Sequence, residues 1–219
     1  MITLSRCIAR ARRAVGLASV SLLCAIAAPA QASLNGTSVN VLLASPNGLL
    51  SDNAPISAAD TVTVSPGVEF TPGDGSNVGA WLISGATAQE SIDIQDFSIA
   101  LRLLQGDPSF PDQTGYAAGA RYTFSNLFFP GSTITGVSLT ASGIANLNQG
   151  WVTLDNPSQV SFALDQIRFV IPASGTTYGD VTIHLATAPV PEPGSLALGL
   201  AGLALLGAVA RARGRSSSA

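Results

Sequence analysis

The chain has 219 residues, with ten arginines and no lysine against thirteen acidic residues, and a single histidine. Both cysteines, Cys7 and Cys24, and seven of the arginines lie near the two ends, so residues 33–189 hold no thiol and carry twelve acidic residues against three arginines, a formal charge of −9. This excludes disulfides, iron–sulfur sites and thiolate zinc sites from that span, and makes nucleic acid and anionic membrane surfaces poor partners for it.

The head reads as a secretory signal peptide. Arg6, Arg10, Arg12 and Arg13 form a basic stretch, residues 14–28 are apolar, and Ala30-Gln31-Ala32 is a small-residue cleavage site before Ser33. Signal peptidase, acting after passage through the secretory translocon, is expected to leave Ser33 as the new amino terminus. Arg12-Arg13 raises the alternative of a twin-arginine signal, but its neighbours fit that pattern poorly. An uncleaved anchor helix is the weaker alternative, because the apolar run is short and ends in a good cleavage site.

Residues 33–189 suit one domain able to bury its own core. Their dominant pattern is period-two alternation, rich in β-branched and aromatic residues and broken every 8 to 15 residues by Gly, Pro, Asn and Asp. Strands are predicted over 38–43, 60–64, 68–71, 90–104, 120–124, 133–141, 151–154, 159–164, 166–171 and 180–186. Helix is expected to be scarce. The apolar phase slips between Ile94 and Phe97 and again between Leu164 and Ile167, so each place holds a bulge or a tight turn. One polar face per strand predicts an all-β fold, an antiparallel β-sandwich or jelly roll. A β-helix is the alternative, without a fixed-period repeat to support it.

Several side chains are candidates for chemistry, each beside a plainer role. His184 is expected on the polar face of its strand, with no second imidazole to complete a metal site. Asp93 with Asp96, or Glu69 with Asp74, supply carboxylate pairs of the kind glycoside hydrolysis needs, although sequence cannot fix their separation. The loop "GDGSN" offers Asp74, Ser76 and Asn77 as oxygen ligands for calcium, as do Asp52 and Asn53, but the full calcium-loop pattern is absent and turn formation is the ordinary role of Asp-Gly. Asn35-Gly36-Thr37 is a glycosylation sequon by pattern alone. Trp81 and Trp151 either stack on a sugar ring or fill the core, and the core is the expected place for both. No cofactor is expected beyond that calcium candidate, and no catalytic residue is assigned.

The tail differs in kind. Residues 194–210 carry no charge and consist of Leu, Ala, Gly, one Ser and one Val. At about 1.5 Å per residue they make about 25 Å of helix, slightly short of a hydrocarbon core of about 30 Å. Arg211, Arg213 and Arg215 follow directly and are expected on the cytoplasmic side as a stop-transfer cluster, which puts the domain outside. Pro191 and Pro193 flank Glu192, so the helix does not extend upstream, and "ATAPVPEP" reads as an extended spacer.

Val190-Pro191-Glu192-Pro193, an apolar small-residue helix and a terminal arginine cluster, in that order, resemble the PEP-CTERM sorting signal of Gram-negative bacteria. The resemblance covers about 30 residues, and its specificity lies in the combination. It implies that Pro191, Glu192 and Pro193 are recognised by an exosortase, a membrane transpeptidase that removes the tail. It also implies a chain anchored transiently in the inner membrane, then released or attached at the cell surface, often beside extracellular polysaccharide and in biofilms. A plain tail anchor is the alternative.

The expected organisation is therefore a signal peptide over 1–32, a β-sandwich ectodomain over 33–189 and a sorting signal over 190–219. The expected role is that of a non-enzymatic cell-surface or matrix protein. A carbohydrate-binding module, calcium-assisted or not, is the alternative from a different class, and a secreted hydrolase a third.

Overall fold

A computed structural model describes residues 33–173, 177–190, 199 and 201–206. Nine strands are present among the described residues: β1 (Ser38–Ser45), β2 (Ile56–Thr63), β3 (Ser91–Gln95), β4 (Ser98–Leu104), β5 (Arg121–Ser125), β6 (Ser132–Ser142), β7 (Val152–Asn156), β8 (Gln159–Ala163) and β9 (Tyr178–Pro189). They form two sheets, ordered β2-β1-β5-β8-β7 and β3-β4-β9-β6, with antiparallel pairing throughout.

Alternation drives this arrangement, because every second side chain of a strand points to the same face. Val39, Val41 and Leu43 on β1, Tyr122 and Phe124 on β5, and Val160 and Phe162 on β8 are fully buried. They share one hydrophobic cluster with Ile92 and Ile94 on β3, Ile99, Leu101 and Leu103 on β4, and Val181 and Ile183 on β9. Two antiparallel sheets thus bury their inner faces against each other, as in a β-sandwich.

Both phase slips are turns. Gln95 pairs with Ser98, so Asp96 and Phe97 form a two-residue hairpin connection between β3 and β4. At Asp165-Gln166 the chain turns, and Ile167 and Phe169 are again buried in the core. The one-residue change of phase within β6 is instead a bulge: the register to β9 shifts between Ile134 and Gly136, which lets Ile134 and Leu139 both face inward.

Two predicted strands reduce to single bridges because side chains take the next rung. At 68–71 only Phe70 pairs with Ile92, and the Ile94 N–H donates to the Glu69 carboxylate at 2.6 Å in place of a backbone carbonyl. At 166–171 the bridges are Gln113 to Arg168 and Ile144 to Phe169, and the Arg168 N–H donates to the Asn146 side chain at 2.8 Å. β2 starts at Ile56, ahead of the predicted 60, because pairing with β1 overrides the weak strand preference of Ser57-Ala58-Ala59.

Several connections meet at one end of the sandwich. The Ser33 hydroxyl donates to Asp96 in the β3–β4 turn, and neighbouring Phe97 stacks on Phe129 with ring centroids 5.8 Å apart. The Asn126 side chain donates to the Ser38 carbonyl at 2.6 Å, and the Leu127 N–H to the Ser158 carbonyl at 3.0 Å. Val190 is held at the same end by its N–H donating to the Gly131 carbonyl at 2.9 Å. Ser33 and Val190 are therefore each fastened to a turn at this end of the domain.

In the tail, Gly199 and residues 201–206 are helical, and among the described residues no helix is long and apolar enough to cross a membrane. The expected signal peptide and most of the expected span over 194–210 lie outside the described residues.

Candidate functional site

The carboxyl end of the domain is built by a single turn. Phe129-Pro130-Gly131-Ser132 closes with the Ser132 N–H on the Phe129 carbonyl at 3.0 Å, and Gly131 takes φ +68°. Proline second and a left-handed glycine third are the chemistry of a type II turn. The turn delivers the chain into β6, and its Gly131 carbonyl receives Val190, one residue beyond β9. The expected spacer over 186–193 is corrected in its first half: residues 186–189 pair with β6 from Gly136 to Ser132. The pairing satisfies backbone groups that an extended spacer would leave to water, and proline is tolerated at the strand's end. Phe128, Phe97 and Val190 at this end are 60%, 41% and 49% exposed.

Of the residues assigned to sorting and processing, Ser33 is placed beside Asp96. Ala30, Ala32, Pro191, Glu192, Pro193, Arg211, Arg213 and Arg215 lie outside the described residues.

The loop with Asp74, Ser76 and Asn77 is closed by its own hydrogen bonds. Asp74 accepts from the Thr71 N–H at 2.9 Å, the Ser76 N–H at 2.8 Å and the Ser76 hydroxyl at 2.6 Å. Burial pulls the Asp74 carboxyl up, but these bonds outweigh it and hold it below the ordinary value. Asn77 donates to the Ala59 carbonyl and to Asp60, each at 3.1 Å, and Asp60 also accepts the Val78 N–H at 2.6 Å. The loop is thereby fastened to β2. A Cβ at Gly79 would lie 2.2 Å from an Asp74 oxygen, so a side chain there would have to displace the Asp74 carboxylate from its hydrogen bonds. Among the described residues no group of three or more His, Cys, Asp and Glu is placed to hold a metal.

The same loop carries Trp81 to the surface. Trp81, at the end of the 3-10 turn Gly79–Trp81, is 37% exposed, against the expectation of burial. It lines an open cleft of about 680 Å³ with Ser57, Ala59, Gly73, Ser76 and Asn77 among its walls, and no lining side chain is charged. Trp151 is buried as expected.

The carboxylate pairs fall into separate hydrogen-bond sets. Glu69 accepts from the Ser65 and Ile94 N–H groups, at 3.1 and 2.6 Å, while Asp74 stays within its loop. Burial pushes the Glu69 carboxyl up despite those bonds. Asp93 and Asp96 line a second cleft of about 290 Å³ with Asn35 and Ser65; Asp93 accepts from Gln95 at 2.8 Å and Asp96 from Ser33. His184 is exposed on β9 and shares a 2.8 Å hydrogen bond with Thr140.

Sequence reasoning missed Glu90. Its carboxylate is fully buried, with Oε2 accepting the Ile83 N–H at 3.0 Å and the Tyr116 hydroxyl at 2.9 Å, and Oε1 accepting the Leu104 N–H at 3.1 Å. Tyr116 in turn shares a hydrogen bond of 3.3 Å with Tyr122. Burial pushes the Glu90 carboxyl up to about 7 and raises both tyrosines. The signal was parity: Glu90 stands in phase with the inward-facing Ile92 and Ile94.

Residues 189–215 match the family model of the PEP-CTERM protein-sorting motif, which begins at the last residue of β9. No curated protein and no solved structure matches the chain.

Proposed function

We propose, for a chain that carries a PEP-CTERM sorting motif over residues 189–215, that it is a non-enzymatic exported protein whose β-sandwich acts at the cell surface or in the extracellular matrix. The motif implies export and an exosortase as processing partner. In the proposed sequence the secretory translocon passes the chain outward and signal peptidase cuts between Ala32 and Ser33. Residues 194–210 then hold the domain at the inner membrane, with Arg211, Arg213 and Arg215 inside, until the exosortase acts at Pro191, Glu192 and Pro193.

The observation that carries this is the motif match at the carboxyl end. The end of β9 at Pro189 supports it, because the matched motif begins where the last described strand of the sandwich stops. The test is Glu192→Ala: maturation is blocked and folding unchanged, since Glu192 follows β9, the last strand among the described residues. Normal maturation of that variant contradicts sorting.

Trp81 favours a second reading, a carbohydrate-binding module. An indole at the edge of an uncharged cleft walled by Ser57, Ser76 and Asn77 suits a neutral, hydroxyl-rich ring that stacks on one side and hydrogen-bonds on the other. Calcium assistance at Asp74, Ser76 and Asn77 requires Asp74 to exchange its hydrogen bonds for the ion. Retention of the protein on the host's own polysaccharide, lost in Trp81→Ala, is the expected result; equal retention of that variant contradicts the reading.

A further inference from the structure

The fold and the sorting motif leave almost no chain between them. Val190, the last described residue before the motif, is hydrogen-bonded to the domain, Pro191-Glu192-Pro193 follows at once in the sequence, and the uncharged segment begins at Gly194. Four residue steps, from Val190 to Gly194, span at most about 14 Å when fully extended. Any enzyme that takes this peptide into a cleft at the membrane therefore meets the end of the sandwich at the same moment.

That end is not a polar cap. Phe128 is 60% exposed and lies three residues before Gly131, the residue that holds Val190. Phe97, 41% exposed, stacks on buried Phe129 beneath the same turn. The backbone there is fixed by the Phe129-to-Ser132 turn and by β6–β9 pairing as far as Pro189, so the aromatic surface keeps a constant spacing to Val190, the residue from which the motif starts. Exposed aromatic side chains on rigid backbone are the usual anchors of a protein contact, since they bury much area for little lost freedom.

We propose that the exosortase docks on this end of the sandwich, with Phe128 as the anchor, as well as on Pro191, Glu192 and Pro193. The proposal rests on the sorting function. It makes recognition bipartite: the motif supplies the peptide and the domain end positions it.

The experiment follows maturation of the full chain in its native host, comparing Phe128→Ser, Phe128→Tyr and Glu192→Ala. Resistance of the domain to added protease serves as the folding control. Expected are several-fold slower maturation of Phe128→Ser, near-normal maturation of Phe128→Tyr, and unchanged protease resistance for both. A photoreactive phenylalanine analogue at position 128 is expected to crosslink to the exosortase. Maturation of folded Phe128→Ser at the normal rate, with Glu192→Ala blocked, overturns docking while sorting stands. Crosslinks from position 128 to lipid alone also overturn it, assigning the surface to the bilayer. If Glu192→Ala matures normally, sorting itself fails and docking falls with it.

Discussion

The hydroxyl of Tyr116 donates to the carboxylate of Glu90 at 2.9 Å inside the sandwich, where both side chains are buried. Burial raises the folded-state value of Glu90 from 4.5 to about 7. Between those two values the folded protein holds a proton that the unfolded chain has released, so stability falls as pH rises through this window. Below it both states are protonated, and above it both are ionised. The unfolding free energy of the domain is expected to decline from pH 4.5 to 7 by a total on the order of 3 kcal/mol, with the melting temperature falling in step. A stability profile that is flat or rising over that range contradicts the assignment.

Replacement of Glu90 by Gln removes the titration but does not preserve the bonding. Both carboxylate oxygens accept a backbone N–H, from Ile83 and from Leu104, so either orientation of an amide sets an NH2 group against a donor. Glu90→Gln is expected to lose about 1–3 kcal/mol at low pH, where the two proteins are compared with a neutral side chain. Its pH profile loses the decline specific to wild type.

Ser33 and Asp96 give a prediction for the mature amino terminus. The Ser33 nitrogen is three bonds from its hydroxyl oxygen, which itself contacts Asp96, so cleavage before Ser33 creates an ammonium group beside that carboxylate. The protein starting at Ser33 is expected to be more stable in low salt than its N-acetylated form, by less than about 1 kcal/mol, as for other exposed ion pairs. Asp96→Asn should abolish the difference; a difference that survives this change locates its origin elsewhere.

The two tryptophans separate cleanly. Trp151 is 6% exposed in the core, and truncation to Ala is expected to cost about 3–5 kcal/mol. Trp81→Ala should cost much less, and quenching of tryptophan fluorescence by acrylamide should fall sharply in that variant. Equal melting temperatures for the two variants contradict this placement.

In the tail, replacing Arg211, Arg213 and Arg215 by Glu removes the positive charges that follow the proposed span over 194–210. Retention or processing is expected to fail, as read by the ratio of precursor to mature form. Unchanged processing removes the positive-inside argument.

Much of this was legible from period and punctuation. Val39, Val41 and Leu43 announce an inward face, and the slip between Ile94 and Phe97 marks the hairpin at Asp96-Phe97. The sorting motif was legible as well, because order and composition define it. Trp81 was not, since alternation says nothing about a side chain in a loop that Asp60 and Asp74 shape by hydrogen bonds. Glu90 was hidden because its partner Tyr116 lies 26 residues away, although its parity with Ile92 pointed inward. The continuation of β9 through Pro189 was obscured by prolines at 189, 191 and 193, which suggest a spacer, while the partner strand β6 lies about fifty residues earlier.

The most direct measurement is the intact mass of the protein recovered from the surface and medium of its native host. Sorting predicts a mass that begins at Ser33 and ends near Pro191 to Pro193, bare or with an adduct that reports attachment. A mass running through Ala219 would establish a permanent membrane anchor and contradict the account.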